Sequence, residues 1–166
     1  MADSRHALGR RALIGIVGAL AVGAARSAPP PPGARVVRRL RFDRRLAVVV
    51  AEGDFEARSL GSYSVRVYRV DTASHPDDET TFFAFGTVRP RDGSVERVWR
   101  ADTLRIGDAP ALVVSTRSAG SGNFLSADAF ELTPSAIRLR ASVSGLRPNA
   151  DPVAALARRL KRPAAK

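Results

Sequence analysis

The chain has 166 residues, of which 45% are apolar, and a formal net charge of +11 at pH 7. This length suits one domain with a hydrophobic core of its own. The lack of cysteine excludes a disulfide framework and a cysteine-linked lipid anchor. All but two of the 27 basic residues are arginine, a bias that a GC-rich genome also produces, so the charge alone does not indicate a nucleic-acid partner.

The N-terminal segment has the pattern of a signal peptide. Arg5, Arg10 and Arg11 precede an apolar run of 14 residues, which is too short to span a bilayer comfortably, and small residues follow it. We therefore predict a signal peptide over residues 1–28 and a location in the periplasm or outside the cell. The arginine pair also fits twin-arginine export, and an uncleaved membrane anchor is the alternative. Removal of residues 1–28, with four arginines and one aspartate, lowers the net charge to +8.

A proline-rich linker over residues 29–34 precedes a region of β-strand patterns. Residues 62–70, for example, alternate in character, with Tyr63, Val65 and Val67 on one face. These patterns predict an all-β domain over residues 35–148. We expect an antiparallel β-sandwich or flattened barrel of seven to eight strands. The predicted strands cover residues 45–53, 62–70, 80–89, 94–101, 111–117, 125–132 and 136–143.

Two local features of this domain carry further predictions. Asp92 and Gly93 form a strong hairpin signal between the predicted strands 80–89 and 94–101, so these two strands are expected to pair. The segment 35–45 carries six arginines. We interpret it as a solvated edge of the domain, with the binding of envelope polyanions as the alternative.

The C-terminal tail, residues 149–166, is basic and predicts a short helix. Asp151 is placed to cap the helix and Pro152 to occupy its first position. A frayed or docked terminal helix is the favoured interpretation, and a basic amphipathic helix that touches anionic lipid is the alternative. The residues expected on its apolar face are Val153, Leu156 and Leu160.

The sequence offers little for catalysis or metal binding. After export the chain would keep a single histidine, His75, in a run of acidic residues that is typical of a solvated loop. Ser121 lacks the G-x-S-x-G spacing of a nucleophile elbow. Asp102 and Asp108 lack the further oxygen ligands of a calcium loop. We therefore predict a protein that is not an enzyme and that holds no cofactor and no metal.

Three runs in the predicted domain resemble one known family. They are GSYSVR (61–66), RPRDG (89–93) and RSAGSG (117–122), in that order. In order and spacing they are similar to the periplasmic inhibitors of invertebrate-type (I-type) lysozyme, over most of residues 47–139. The resemblance implies an exported β-rich inhibitor whose partner is an I-type lysozyme.

The same resemblance implies a binding loop. In the family, a protruding loop with an S-G-x-Y motif enters the active-site cleft of the lysozyme, and here phenylalanine stands in place of the tyrosine. Tyr63 and Arg66 resemble family positions and are candidates for a supporting role, with Tyr63 expected in the core and Arg66 at the surface. The implied lysozyme-binding loop consists of Arg117, Ser118, Gly120, Ser121, Gly122, Asn123 and Phe124.

Elementary chemistry supports such a role for the loop. Its two glycines keep it narrow and permit positive φ angles. Its two serines and its backbone offer hydrogen-bond donors to the catalytic carboxylates of a lysozyme. Arg117 is expected to pair with a carboxylate at the base of the loop. Phe124 either fills a sugar subsite or packs under the loop.

A second function class stays open. A basic β-module that binds an anionic envelope polymer or nucleic acid would also carry this charge, although no nucleic-acid partner is expected. Polyanion binding weakens steeply with salt, whereas the docking of a loop weakens less. Stable membrane insertion is not expected, and a homodimer is left open.

Overall fold

The computed structural model describes residues 33–54, 61–71 and 80–161. The predicted signal peptide, most of the proline-rich linker, His75 and the end of the tail lie outside these residues. The described residues form eight strands and one helix. The strands are β1 (Arg35–Arg41), β2 (Leu46–Gly53), β3 (Ser62–Asp71), β4 (Thr80–Pro90), β5 (Ser94–Ile106), β6 (Ala109–Arg117), β7 (Leu125–Thr133) and β8 (Ala136–Leu146), and the helix is α1 (Pro152–Lys161).

The strands form two separate four-stranded antiparallel sheets. The first has the order β1-β2-β3-β4 and the second the order β5-β6-β7-β8, so each strand pairs with its neighbour in the chain. Because the sheets pack face to face without closing, the sandwich is confirmed and the flattened barrel is not. Irregular pairing between Ala101 and Arg105 accompanies a β5 that is longer than predicted.

The predicted hairpin at Asp92 and Gly93 is wrong. Here the chain leaves β4 in the first sheet and enters β5 in the second, and the partner of β5 is β6. Gly93 has the positive φ, 87°, that the turn signal implies. A turn residue sets the local backbone direction, but the packing of the two sheets decides which strand the chain pairs with next.

The hydrophobic core lies between the two sheets. On β3, Tyr63, Val65 and Val67 are all at most 1% exposed, which confirms the predicted inward face. Each such side chain stabilises the fold by about 1.5–3 kcal/mol relative to an exposed position. The buried residues of this core are Phe42, Leu46, Val48, Val50, Tyr63, Val65, Val67, Val95, Val98, Leu112, Val114, Phe130 and Leu132.

The helix α1 covers the outer face of the second sheet. Its cap is as predicted, because Asp151 Oδ1 accepts hydrogen bonds from the N–H groups of Val153 (2.8 Å) and Ala154 (3.3 Å). Leu156 is fully buried against the sheet, with Val153 and Leu160 packed beside it, so the docked helix is confirmed. Small strand residues allow this close approach, namely Ala101, Ala111, Ala127, Ala129 and Ala141.

Residues 35–41 of the arginine-rich segment form β1, an edge strand of the first sheet. The side chains of Arg38, Arg39 and Arg41 are exposed there, as the interpretation of a solvated edge requires. Charged side chains on an edge strand oppose edge-to-edge association. Among the described residues, no helix is long and apolar enough to cross a membrane.

Candidate functional site

The segment that connects β6 to β7, residues 118–124, is called the Ser/Gly loop below. Its two ends are tied together: Ser118 N–H donates to Phe124 O (2.9 Å), and Phe124 N–H donates to Ser118 Oγ (3.1 Å). A tight turn forms the tip, where Asn123 N–H donates to Gly120 O (3.1 Å). Asn123 lies in the left-handed region with φ 47°, which asparagine tolerates better than most residues. The loop is therefore a closed, narrow projection.

The tip of the Ser/Gly loop presents hydrogen-bond donors to solvent. Gly120 and Ser121 are exposed. Within the described part of the chain, neither the Ser121 hydroxyl nor the N–H groups of residues 119–122 have a hydrogen-bond partner. Exposed donors of this kind suit an anionic or oxygen-rich partner surface.

The ring of Phe124 packs on the backbone of its own loop. A Cβ atom at Gly122 would clash with Cε2 and Cδ2 of the ring, so a side chain at this position would displace the ring from its place on the loop. Phe124 nevertheless stays 49% exposed. In the free protein the ring therefore packs against its own loop and leaves about half of its surface open to solvent. Its entry into a sugar subsite stays a prediction.

Arg117, the last residue of β6, lies at the base of the loop. Its Nη1 donates to Asn123 O (3.1 Å), and its Nε donates to Glu96 Oε1 on β5 (3.2 Å). A second contact joins Nη2 to the same carboxylate oxygen (2.5 Å). The sequence predicted a pairing of Arg117 with a carboxylate at the base of the loop, and in the structure Glu96 provides that carboxylate.

The turn at Gly93, which connects β4 in the first sheet to β5 in the second, lies directly against the base of the Ser/Gly loop. A Cβ atom at Gly93 would lie 1.9 Å from Arg117 O and 2.7 Å from Ala119 N. No side chain fits in this space, and the φ of 87° disfavours one as well. The glycine of the Asp-Gly turn thus allows this turn to pass close to the base of the loop.

Tyr63 lies at the same end of the sandwich and joins the two sheets. Its hydroxyl donates to Asp128 Oδ2 on β7 (2.5 Å), and Arg89 Nε on β4 lies 3.3 Å from the same oxygen. Burial and the negative charge of Asp128 raise the pKa of Tyr63 far above its ordinary value. The phenol therefore keeps its proton, and a cavity of about 160 Å³ adjoins the three side chains.

Sequence reasoning missed Asp128 and a second buried acid, Glu52. Glu52, on β2, is 5% exposed and accepts hydrogen bonds from Val95 N–H on the opposite sheet and from Arg35. A signal for Asp128 was present, because its position in the alternating strand places it inward beside Phe130. A charge at such a position needs partners.

Arg66 is not brought to the loop. It lies on β3 opposite Gly86 and Val49, three residues beyond Tyr63, or roughly 10 Å along the strand, and it faces the other side of the sheet. It is partly exposed, close to the surface position that was expected. Among the described residues, no cluster of three or more histidine, cysteine, aspartate or glutamate side chains forms a metal site.

A β-sandwich that presents a short loop with unpaired donors is suited to binding another protein. Comparisons with known proteins identify the class to which the chain belongs. The chain matches the family described as periplasmic lysozyme inhibitor of I-type lysozyme over residues 34–160, and it belongs to this family. The family resemblance found in the sequence is thereby confirmed. Because the family comprises inhibitors, the prediction that the protein is not an enzyme is confirmed too.

Two crystal structures are similar to the chain. One is the periplasmic lysozyme inhibitor of I-type lysozyme from Aeromonas hydrophila, with 40% identity, a TM-score of 0.59, and coverage of 72% of this chain and 97% of that one. The other is the Aeromonas hydrophila inhibitor in complex with Meretrix lusoria lysozyme, with 39% identity, a TM-score of 0.60, and coverage of 76% and 96%. A comparison with curated proteins found no match.

Proposed function

We propose that this protein inhibits an I-type lysozyme by inserting the Ser/Gly loop into the active-site cleft. Family membership supports the inhibitor role, and a related structure was solved in complex with a lysozyme. The observation that carries the loop proposal is the tip itself, where the Ser121 hydroxyl and neighbouring N–H groups have no partner among the described residues.

The chemistry of the target explains why such a tip inhibits. A lysozyme cleft holds two carboxyl groups, one a general acid and one a carboxylate that stabilises charge or attacks. Donors at the loop tip form charge-assisted hydrogen bonds with a carboxylate and occupy the space of the scissile bond. The exposed part of the Phe124 ring lies beside these donors and offers an apolar surface to a sugar subsite.

A turbidity assay on cell walls tests this function. The protein should slow an I-type lysozyme and leave c-type and g-type enzymes unaffected. Ser121→Ala should weaken inhibition about 10-fold to 150-fold, because a hydrogen bond to a charged group contributes about 1.5–3 kcal/mol. Ser135→Ala, in the exposed turn between β7 and β8 at the other end of the sandwich, is the matched control.

Each result of this assay decides one part of the proposal. If no I-type lysozyme is slowed by the parent protein, the inhibitor function is wrong. If Ser121→Ala inhibits as strongly as the parent, the function stands and the Ser121 hydroxyl has no part in it.

We also propose that the protein acts after export, as the family name and the N-terminal pattern both suggest. The mature chain should begin between residues 25 and 28 and occur in the periplasmic fraction, which N-terminal sequencing of the purified protein tests. Recovery of Met1 or Ala2 from a membrane fraction would contradict it. A homodimer stays a prediction, which sedimentation analysis tests.

A further inference from the structure

The contacts of Arg117 bridge the sheet and the tip of the Ser/Gly loop. One side of its guanidinium holds Glu96 on β5, and the other side holds the carbonyl oxygen of Asn123. The side chains of Arg117 and Glu96 are 29% and 37% exposed, so solvent partly screens the ion pair. For the loop, the arrangement of these groups matters more than the strength of the ion pair, because a planar guanidinium can hold Glu96 and Asn123 at once.

The loop needs such a support. It contains two glycines, which widen the set of backbone conformations open to the loop. Asn123 also occupies the left-handed region, which non-glycine residues adopt only when their surroundings favour it. The bond from Arg117 holds the carbonyl group of this residue, and the carboxylate of Glu96 orients the arginine that makes the bond.

We infer that Arg117 and Glu96 are positioning residues, which hold the Ser/Gly loop in its binding conformation before the enzyme arrives. The inference rests on the proposed function of the loop. Three of the five guanidinium N–H donors are used within the free protein, by Glu96 and by the carbonyl group of Asn123. In this inference Arg117 acts through Asn123 and not by contact with the carboxylates of the lysozyme. If the loop adopts the competent conformation only a tenth of the time, affinity falls about 10-fold.

The test uses three variants of the full mature protein. Arg117→Lys keeps the positive charge but lacks the fork that holds both partners. Glu96→Gln keeps an acceptor oxygen and removes the negative charge. Glu131→Gln is the matched control, since Glu131 pairs with Arg140 between β7 and β8 in a comparable partly exposed ion pair (3.3 Å).

Two measurements are made on each variant. Nuclear magnetic relaxation of the amides of residues 119–123 reports loop motion in the protein alone, and the binding constant for an I-type lysozyme reports affinity. Arg117→Lys should increase loop motion and weaken binding about 10-fold, and Glu96→Gln should do both to a smaller extent. Glu131→Gln should change neither, and melting temperatures should stay within a few degrees of the parent.

Other outcomes overturn the inference. If Arg117→Lys weakens binding without increasing loop motion, Arg117 contacts the enzyme directly. If neither quantity changes, the two residues do not position the loop. If the parent protein binds no I-type lysozyme, the proposed function fails, while relaxation of the loop amides in the free variants still decides whether Arg117 and Glu96 hold the loop.

Discussion

At the scale of single residues, Phe124 is the position at which this chain departs from the S-G-x-Y motif of the family it resembles. The structure changes what this departure means. The ring lies on Gly122 and is about half exposed, so it has both an internal role in the loop and a free edge. Because about half of the ring is exposed, we expect a hydroxyl added at Cζ to be solvated in the free protein.

We therefore expect Phe124→Tyr to strengthen inhibition without changing stability. In the complex the new hydroxyl meets a polar, sugar-binding surface, and one hydrogen bond contributes about 0.5–1.5 kcal/mol, or roughly 2-fold to 13-fold in the inhibition constant. Inhibition assays and thermal melting check this together. A variant that melts earlier and inhibits no better would show that the ring supports the loop and does not touch the enzyme.

From the environment of Tyr63 we predict that the folded protein loses stability at alkaline pH. Burial and Asp128 raise its pKa in the folded state, so the folded protein keeps the phenol proton after the unfolded chain has lost it. Stability from this group is complete below the ordinary tyrosine pKa of about 10 and falls above it, by up to about 1.4 kcal/mol per pH unit. Urea unfolding at a series of pH values from about 8 to 11 measures the fall.

The control for this effect is Tyr63→Phe. It should lower the free energy of unfolding at neutral pH by about 1.5–3 kcal/mol, because the bond to the Asp128 carboxylate is lost. It should also remove the part of the alkaline slope that Tyr63 causes. An unchanged slope in this variant would assign the alkaline loss to another group.

At the scale of elements, α1 shows how a terminal segment becomes part of the domain. Its polar face carries Arg158, Arg159 and Lys161 in the last turn, where positive charge suits the helix dipole. Its apolar face lies on the alanine-rich outer face of the second sheet. The lipid-binding interpretation needs this apolar face to be free, and packing against the sheet already covers it.

Leu156→Ala tests the contribution of the helix. Leu156 is fully buried, so its truncation should lower the free energy of unfolding by about 2–5 kcal/mol. Arg159→Ala, on the exposed face of the same helix, should change it by less than about 0.5 kcal/mol. Chemical denaturation checks both, and equal stability of the two variants would contradict the docking of the helix.

At the scale of the whole molecule, the net charge of +11 is large, but its placement in the part of the chain that the structure describes argues against a single polyanion site. Several arginines of the described residues are held by acids or carbonyl groups of the protein, as Arg35, Arg100 and Arg117 are. The exposed arginines of β1 lie along the edge of a sheet. Positive charge at such an edge prevents pairing with the edge of another sheet, which is a role other than polyanion binding. The proposed recognition through the Ser/Gly loop is local, and the residues at the tip of this loop carry no charge.

Salt dependence separates the two function classes. A binder of anionic polymer with 6–10 contacts loses about 1,000-fold to 100,000-fold in affinity between roughly 50 and 200 mM salt. The affinity of the protein for an I-type lysozyme should change by far less over the same range. Calorimetry with the lysozyme, and with a sulfated polysaccharide as the comparison, measures both, and an equally steep loss for the lysozyme would favour the polyanion class.

The sequence by itself determined the local structure of this protein. Alternation with period two predicts the strands and the inward face of β3, and Asp151 with Pro152 predicts the start of α1. Gly93 predicts a turn, and the motif runs predict the family. These features depend on backbone preferences and on the spacing of apolar residues, which neighbouring residues specify without knowledge of the rest of the fold.

Only the tertiary structure decided which of these parts meet. The turn at Gly93 joins two sheets and not two paired strands, and the apolar side chains of both sheets are buried together between them. Asp128 meets Tyr63, and Glu96 is the carboxylate that meets Arg117, across separations of 65 and 21 residues. Such contacts join residues that are far apart in the chain, and only the complete fold brings these residues together. No local sequence pattern specifies a partner at that separation.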